Sequence, residues 1–582
     1  MTGFRIMGVC VSLAATAGLL ACGGGSSPSQ ATSNFQISAT PLSPGTVTVG
    51  SAATSTVTVT DVAGFDSPVS LACSGLPSGA SCSFNPASVA GSGSSKLTVA
   101  TSQGTTPGSY PLSVQGTSGS TNQSAPLTLA VQSIIQHIVV IFQENRSPDN
   151  LFQDPKLIAA GANIQNYGIS AAQPGVHIPL SPVPLGCPPD NCQTYDPDHS
   201  HIPAFVDMYD NGKMDGAYEI VSKCAKPGTY CLNGLGNYSY AYVQQSDVAP
   251  YFQMAETYTF ADNMFQSNQG PSFPAHQYLI SGSSSLAPPG QPNSNLLNAE
   301  LPLALTSGNS DNDTGCTAPP TETAAAIDPA TGVETQVYPC FDRPTVTDLL
   351  NAKNISWKYY APSAGSIWTA PNAISHMCGP NVPPPNATAC TASDWTNNVV
   401  LNSAQVLTDI SNNQLAAVSW VIPSGQASDH PVTTDGSGPS WVASVVNAIG
   451  NSPYWANTAI LITWDDWGGW YDHVVPPLIL NHYEIGFRVP LIVISPYAKA
   501  NYISHTFYEF GSTLKFIENT FGLSQIAPTA TLLFADQFPG TGDLSDCFDY
   551  NQTPLVFHTI PAPLDANFFL NDKRTPTDPD DD

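Results

Sequence analysis

The chain has 582 residues, 42% of them apolar and only 10% charged, and its 43 acids against 15 Lys and Arg leave a formal net charge of −28. That balance excludes a non-specific nucleic-acid binder, which needs a basic face to release phosphate counterions, and it suits an anionic lipid surface poorly. Length alone allows about four domains, although one large α/β unit absorbs most of such a chain.

Residues 1–22 read as an export signal. Arg5 precedes an apolar run over residues 6–20, too short for a membrane span, and Leu19-Leu20-Ala21-Cys22 closes it before a Gly/Ser stretch. Small residues ahead of a cysteine resemble a bacterial lipoprotein signal, cleaved at Cys22 and lipidated there. An ordinary secretory signal is the alternative. On either reading the chain is exported and sits in the cell envelope, lipid-anchored or secreted. The later cysteines agree: ten form close neighbours, Cys73/Cys82, Cys187/Cys192, Cys224/Cys231, Cys316/Cys340 and Cys378/Cys390, and Cys547 is left over. Local disulfides are the expectation in an oxidising compartment.

Residues 23–34 are Ser/Pro/Gln/Thr-rich, a flexible tether. Over residues 35–132 the pattern becomes short alternating runs at 46–49, 55–60, 96–99, 110–114 and 127–131, separated by Gly/Pro/Ser/Asn turns. Period-two alternation predicts a β-sandwich of about 100 residues, similar to the immunoglobulin-like modules of bacterial surface proteins. It carries no cluster of His, Glu or Asp, so a spacer or adhesion role is expected there rather than chemistry.

Residues 133–142 (SIIQHIVVIF), 416–422 (AAVSWVI), 459–464 (AILITW) and 489–495 (VPLIVIS) are nearly unbroken apolar runs. Such runs suit strands buried on both faces of a parallel sheet. Helices are expected over 346–352, 438–449 and 512–521. Residues 133–570 therefore read as an α/β domain with a mostly parallel central sheet flanked by helices, interrupted by Pro-rich, Cys-bearing insertions. Residues 571–582 read as a disordered acidic tail.

In open α/β sheets, ligands bind beyond the carboxyl ends of the strands. The first run ends in Gln143-Glu144-Asn145-Arg146-Ser147. The third ends in Asp465-Asp466, followed by Asp472-His473. The second leads to Asp429-His430, and the fourth to Pro496-Tyr497. Each polar group alone is ordinary, because Asp and Asn cap helices and close turns. Three such ends at one edge point to a site. Gly270-Pro271 then makes a turn before Ser272, where a helix begins. Ser272 reads either as a plain N-cap or as a nucleophile at a helix N-terminus, where backbone N–H groups cradle a phosphate.

The blocks QENRS (143–147), DPDHSH (196–201), QSNQGPSFPAH (266–276), SDHP (428–431), TWDDWGGWYDH (463–473) and FRVPLIVISPY (487–497) resemble, in order and content, a bacterial phosphoesterase family. It is the family of non-specific phospholipases C and related acid phosphatases, within the alkaline-phosphatase superfamily. The resemblance runs over about residues 134–523. It implies an alkaline-phosphatase-like fold and a phosphoric ester hydrolase acting on a phosphate ester or phospholipid. It implies a divalent ion on Glu144, Asn145, Asp465 and Asp466, with Ser272 as a nucleophile that also touches the ion and becomes a phosphoserine. His199 and His430 match histidines lining the phosphate pocket, and His376 matches another in a looser context. Asp472, His473 and His276 are read as lying behind the ligands. The oxygen ligands permit calcium, magnesium or manganese.

Two positions depart from the family pattern: Asp466 stands where it usually carries Glu, and Ser272 where the phospholipase branch commonly has Thr. Sulfatase-like chemistry on the same fold is an alternative, but His276 stands where the sulfatase motif needs Arg. A catalytically degenerate binding or adhesion protein is the other alternative, and the presence of Glu144, Asn145, Ser272, Asp465 and His430 speaks against it.

Overall fold

The computed structural model describes residues 33–186, 195–224, 237–302, 314–477, 481–527 and 534–574. Strands from Asn34–Ala39 to Thr121–Gln132 form a four-stranded and a five-stranded sheet. Val57, Val59, Leu97 and Val99 of the first sheet share a core with Leu112, Val114, Leu127 and Leu129 of the second. The Cys73–Cys82 disulfide ties Pro68–Ser74 of one sheet to Ala80–Asn85 of the other. Those two strands, rich in Ser with Pro at a margin, read as turn in the sequence.

An eight-stranded sheet builds the second unit. Its strands are β1 (His137–Gln143), β2 (Thr259–Ala261), β3 (Trp357–Tyr360), β4 (Val399–Val400), β5 (Val418–Val421), β6 (Thr458–Trp464), β7 (Leu491–Ile494) and β8 (Tyr502–Ser504), in the order β4-β3-β5-β1-β6-β7-β2-β8. The four apolar runs supply β1, β5, β6 and β7, which are buried throughout except at His137. β1 lies between β5 and β6, parallel to both, with Gln143 opposite Trp464. Glu144 and Asp465 therefore leave the sheet at one level.

β7 is the exception to the parallel arrangement, running antiparallel to both β6 and β2. An all-buried strand has no apolar pattern that records its direction, so the sequence could not show this. The reversal carries Pro496-Tyr497 to the far edge and brings Arg488, at the entrance of β7, to the edge where Glu144 and Asp465 emerge.

The expected helices are present as α2 (Val346–Ala352), α3 (Gly438–Gly450) and α4 (Phe510–Phe521), and α1 is Ser272–Ser281. Reciprocal caps start two of them: Thr345 with Asp348 for α2, and Glu509 with Ser512 for α4. Among the described residues no helix is long and apolar enough to cross a membrane. Cys316–Cys340 and Cys378–Cys390 are disulfides, and Cys547 is a buried free thiol. The pairings Cys187/Cys192 and Cys224/Cys231, and Cys22, involve residues outside those described. Residues 571–574, inside the segment expected to be tail, are among those described, and there Arg574 pairs with Asp435 at 2.7 Å and with Asp572 at 2.6 Å.

Burial gives the fold a pH dependence. Desolvation, with Glu509 adding, pushes the Glu484 carboxyl up to about 8; desolvation, with Asp536 adding, pushes Glu518 to about 9. The folded chain keeps protons on these acids that the unfolded chain releases near about pH 4. The folded state then binds more protons than the unfolded one, so stability falls as pH rises through this window. The thermal midpoint is expected to drop between about pH 5 and about pH 8, and Glu518→Gln should flatten the slope. A midpoint that is level or rising there counts against this account.

Candidate active site

Two tight turns bring the strand ends together. After β1 the backbone turns at Asn145, whose φ of +61° is left-handed and uncommon for a residue with a Cβ. The Asn145 N–H donates to Asp465 Oδ1 at 2.8 Å, and the Asp466 N–H donates to the same oxygen at 2.7 Å. The Arg146 N–H closes the join on the Asp466 carbonyl at 3.0 Å. Gly468 and Gly469 follow, with φ of +63° and +69°. A Cβ on Gly468 would stand 2.3 Å from the Asn145 carbonyl oxygen, and one on Gly469 2.5 Å from Pro197 Cβ. Glycine is thus needed twice over, for the backbone region and for the close approach.

α1 approaches the same edge. Pro271 is its N-cap and Ser272 its first residue. Ser272 is fully buried, and its Oγ donates to Asp466 Oδ2 at 3.3 Å. His276 lies one turn later, on the same face of the helix. Its Nε2 is 3.2 Å from Glu144 Oε1. One donor atom each from Glu144, His276 and Asp465 falls within 4.8 Å of the other two, and all three residues are buried.

Two imidazoles complete the group. His199 Nδ1 is 2.9 Å from the Pro197 carbonyl, and His430 Nδ1 is 2.7 Å from the Pro431 carbonyl. A carbonyl only accepts, so both rings carry Nδ1–H and leave the lone pair on Nε2 when neutral. His199 Nε2 accepts from Asn145 Nδ2 at 2.9 Å and lies 3.9 Å from Asp466 Oδ2. The two rings are 6.3 Å apart.

The donor set fits a divalent cation. Because the Asn145 amide nitrogen donates to His199, its Oδ1 is left buried without a hydrogen-bond partner. Asp465 Oδ1 takes two backbone N–H groups, while its Oδ2 is likewise buried without a partner. Buried oxygens of this kind are rarely left unmatched. Hard oxygens beside an imidazole suit a divalent ion.

Asp472, His473 and His376 make other contacts. Arg488 binds Asp472 through two bonds of 2.8 and 2.9 Å and reaches Asp149 at 3.4 Å; His473 Nδ1 lies 2.7 Å from Asp149. This is a buried ion network beneath the Gly-Gly turn. His376 bonds Asp342 at 2.6 Å and Asp348 at 3.3 Å, and no described contact joins it to Ser272 or Glu144. Burial opposes charge on that ring, but the two carboxylates lift its imidazole to about 9.

Sequence reasoning missed Gln266, Arg488 and the role of Arg146. Gln266 Oε1 accepts from the Trp467 N–H at 3.2 Å, and its Nε2 donates to the Gly270 carbonyl at 3.1 Å. One amide thus ties the turn after Asp466 to the turn before Ser272. Arg146 donates through Nε and Nη2 to the Asp429 carbonyl at 3.0 and 2.7 Å, fixing the segment that carries His430. Burial lowers that guanidinium to about 10 and raises the Asp429 carboxyl to about 6. A loop amide carries no sequence signal of such a bridge. Arg488 had one, since it sits inside the FRVPLIVISPY block.

The family model described as "Phosphoesterase family" matches residues 135–524 of this chain. The chain belongs to the Phosphoesterase family. The phosphoesterase match takes in Glu144, His199, Ser272, His430 and Asp465, so the buried group described above lies wholly within it. The chain is similar to a hemolytic phospholipase C of Pseudomonas aeruginosa, 23% identical over 480 residues that cover 72% of this chain and 58% of that protein. It is similar to phospholipase C B of Mycobacterium tuberculosis, 31% identical over 170 residues covering 25% of this chain and 32% of that one. A non-hemolytic phospholipase C of Burkholderia pseudomallei is 24% identical, over 74% of this chain and 62% of that protein. The chain thus spans between about a third and three fifths of the length of these curated relatives. Among solved structures, a protein in the alkaline phosphatase superfamily from Vibrio parahaemolyticus aligns with a TM-score of 0.26 and 10% identity, over 48% of this chain and 61% of that chain.

Proposed function

We propose that this phosphoesterase is an exported, metal-dependent hydrolase of phosphoric esters that works through Ser272 and a phosphoserine. One observation carries the reading: a buried serine hydroxyl at the first residue of a helix is bonded to a carboxylate, Asp466, beside two imidazoles and a cluster of cation-suited donors.

The chain's own residues supply most of the chemistry. The first N–H groups of α1, without partners inside the helix, face an incoming phosphoryl group. Asp466 accepts the Ser272 proton as Oγ bonds to phosphorus and the ester oxygen departs. Protonated His430 gives that oxygen its proton from Nε2, while His199, whose Nε2 accepts from Asn145, lines the pocket beside it. Water then loses a proton to the His430 imidazole and attacks phosphorus. The Oγ–P bond breaks, and Asp466 returns the proton to Ser272. A divalent cation on Glu144, Asn145 and Asp465 supplies, when bound, the positive charge that a chain of net charge −28 otherwise lacks for an anionic substrate.

Phosphomonoesters and phospholipids are both substrates consistent with this site, and the phospholipase C relatives favour including the second. Export to the cell envelope, with a lipid anchor at Cys22, belongs to the same proposal and is supported by the disulfides. The β-sandwich is then an immunoglobulin-like spacer between envelope and enzyme.

The test pairs a chromogenic phosphomonoester with phosphatidylcholine, each assayed before and after chelation. Hydrolysis of at least one is expected, falling by at least about 100-fold on chelation and returning with added divalent metal. Failure of metal-replete protein to cleave either compound, or cleavage indifferent to chelation, would overturn the reading.

A further inference from the structure

We infer that His276 is itself a ligand of the cation, so that the ion is held by an imidazole nitrogen together with Glu144, Asn145 and Asp465, while Asp466 serves Ser272 and His199 instead. The inference rests on the metal-dependent reading above and names the class of ion: a divalent transition metal rather than calcium or magnesium.

The ring's orientation comes first. His276 is fully buried, edge-on to Phe142 at 4.8 Å and stacked at 6.3 Å with Trp368. It has no room to swing away. Its Nδ1 faces the Tyr359 hydroxyl at 3.5 Å, and that hydroxyl donates to the Trp368 carbonyl at 2.7 Å. Tyr359 has one hydrogen to give and has given it, so towards His276 it presents lone pairs. Nδ1 is therefore the protonated nitrogen, held from outside by an oxygen, as metal-bound imidazoles usually are.

Nε2, on the other side of the ring, points at Glu144 Oε1, 3.2 Å away. A ring nitrogen and a carboxylate oxygen at that range are held together by a proton or by a cation between them. The Asp465 donor completes a group within 4.8 Å, a span that one ion with ligands at about 2.0–2.3 Å bridges.

Asp466 is committed elsewhere. Its Oδ1 accepts from the Gly468 N–H at 2.7 Å and its Oδ2 from Ser272 at 3.3 Å. Asp465 Oδ2 and Asn145 Oδ1 have no such engagement. A side chain one methylene shorter than glutamate stays with the nucleophile, and the helix that carries Ser272 delivers His276 one turn on. An imidazole among the donors raises affinity for manganese, iron, cobalt or zinc relative to calcium and magnesium, which prefer all-oxygen sets.

The experiment strips the full-length protein with chelator and reloads it with Mn²⁺ alone. Pulsed electron paramagnetic resonance then looks for a directly bound ¹⁴N, and calorimetry compares Mn²⁺ with Ca²⁺. The native protein is expected to show the nitrogen coupling and to bind Mn²⁺ more tightly than Ca²⁺. His276→Gln should lose the coupling and weaken Mn²⁺ by about 10- to 100-fold, with Ca²⁺ changed much less. His199→Gln and His430→Gln should both retain the coupling, which keeps the assignment testable if His276→Gln does not fold.

Mn²⁺ bound by native protein without nitrogen coupling would overturn this inference and leave the metal-dependent reading standing, with a proton between His276 and Glu144. Coupling that survives in His276→Gln, or disappears in His199→Gln or His430→Gln, also overturns it. Native protein that binds no divalent metal would remove both readings together.

Discussion

Ser272→Ala is expected to lower kcat/KM for a phosphate ester by at least about 10³-fold while leaving the thermal midpoint within a few degrees of native. The two effects separate for a structural reason. Ser272 is not the cap of α1; that position is Pro271, so losing the hydroxyl costs the helix no capping bond. What is lost is one bond to Asp466, long at 3.3 Å. Against it, alanine is a better helix former than serine by a few tenths of a kcal/mol. The helix N-terminus, His199, His430 and the cation donors all remain, so substrate should still bind and KM should move less than kcat. The residual rate would be that of water attacking without a covalent intermediate. Phosphoserine trapped by acid quench from native protein and absent from the variant would link the rate loss to the intermediate. A variant within about 10-fold of native removes Ser272 from the mechanism.

Much of this arrangement was legible in the sequence because burial writes long signals. β1, β5, β6 and β7 are buried on both faces and read as unbroken apolar runs. The three-residue strands β2 and β8 and the two-residue β4 leave no such trace, since so few residues carry no period. The reversal of β7 was invisible for the reason that its faces are equally dry. The strand-end reading led to Glu144, Asn145, Asp465 and Asp466, and these do meet. His276 could have been placed with them from its spacing alone, because four residues along a helix from Ser272 is the same face. His376 had only a loose local match, and its ring is held by Asp342 and Asp348. Gln266 and Arg146 act through backbone carbonyls and N–H groups, and a bond to backbone places no demand on the partner's residue type. Such contacts leave no pattern in a single sequence.

The largest effect on stability is expected from Arg488→Met, a loss of about 3–5 kcal/mol. Arg488, Asp472 and Asp149 are all fully buried. The guanidinium donates twice to Asp472, reaches Asp149 at 3.4 Å, and also donates to the carbonyls of Asn163 and Asp262, at 2.9 and 2.6 Å. Methionine fills similar space but leaves two carboxylates in a dry interior with His473 as their remaining cationic neighbour. Burial and the Asp472 charge already raise the Asp149 carboxyl above its usual range. Without Arg488 the Asp149 carboxyl would rise further, and the folded chain would have to carry it protonated. The variant's folded state then binds more protons than its unfolded state between about pH 4 and the raised Asp149 value, so its deficit relative to native grows with pH. Denaturant midpoints taken at about pH 5 and about pH 8 should show the larger loss at the higher pH.

Asp472→Asn added to Arg488→Met should recover part of the stability, because it removes one of the stranded charges, and a double-mutant cycle measures the coupling. The catalytic consequence is indirect. Asp472 follows the Gly468-Gly469 turn that packs on Asn145, so loosening it should weaken metal binding and kcat together rather than substrate binding alone. A variant as stable as native at both pH values would mean that water reaches these carboxylates, and the network would then be a surface feature rather than the support of the turn.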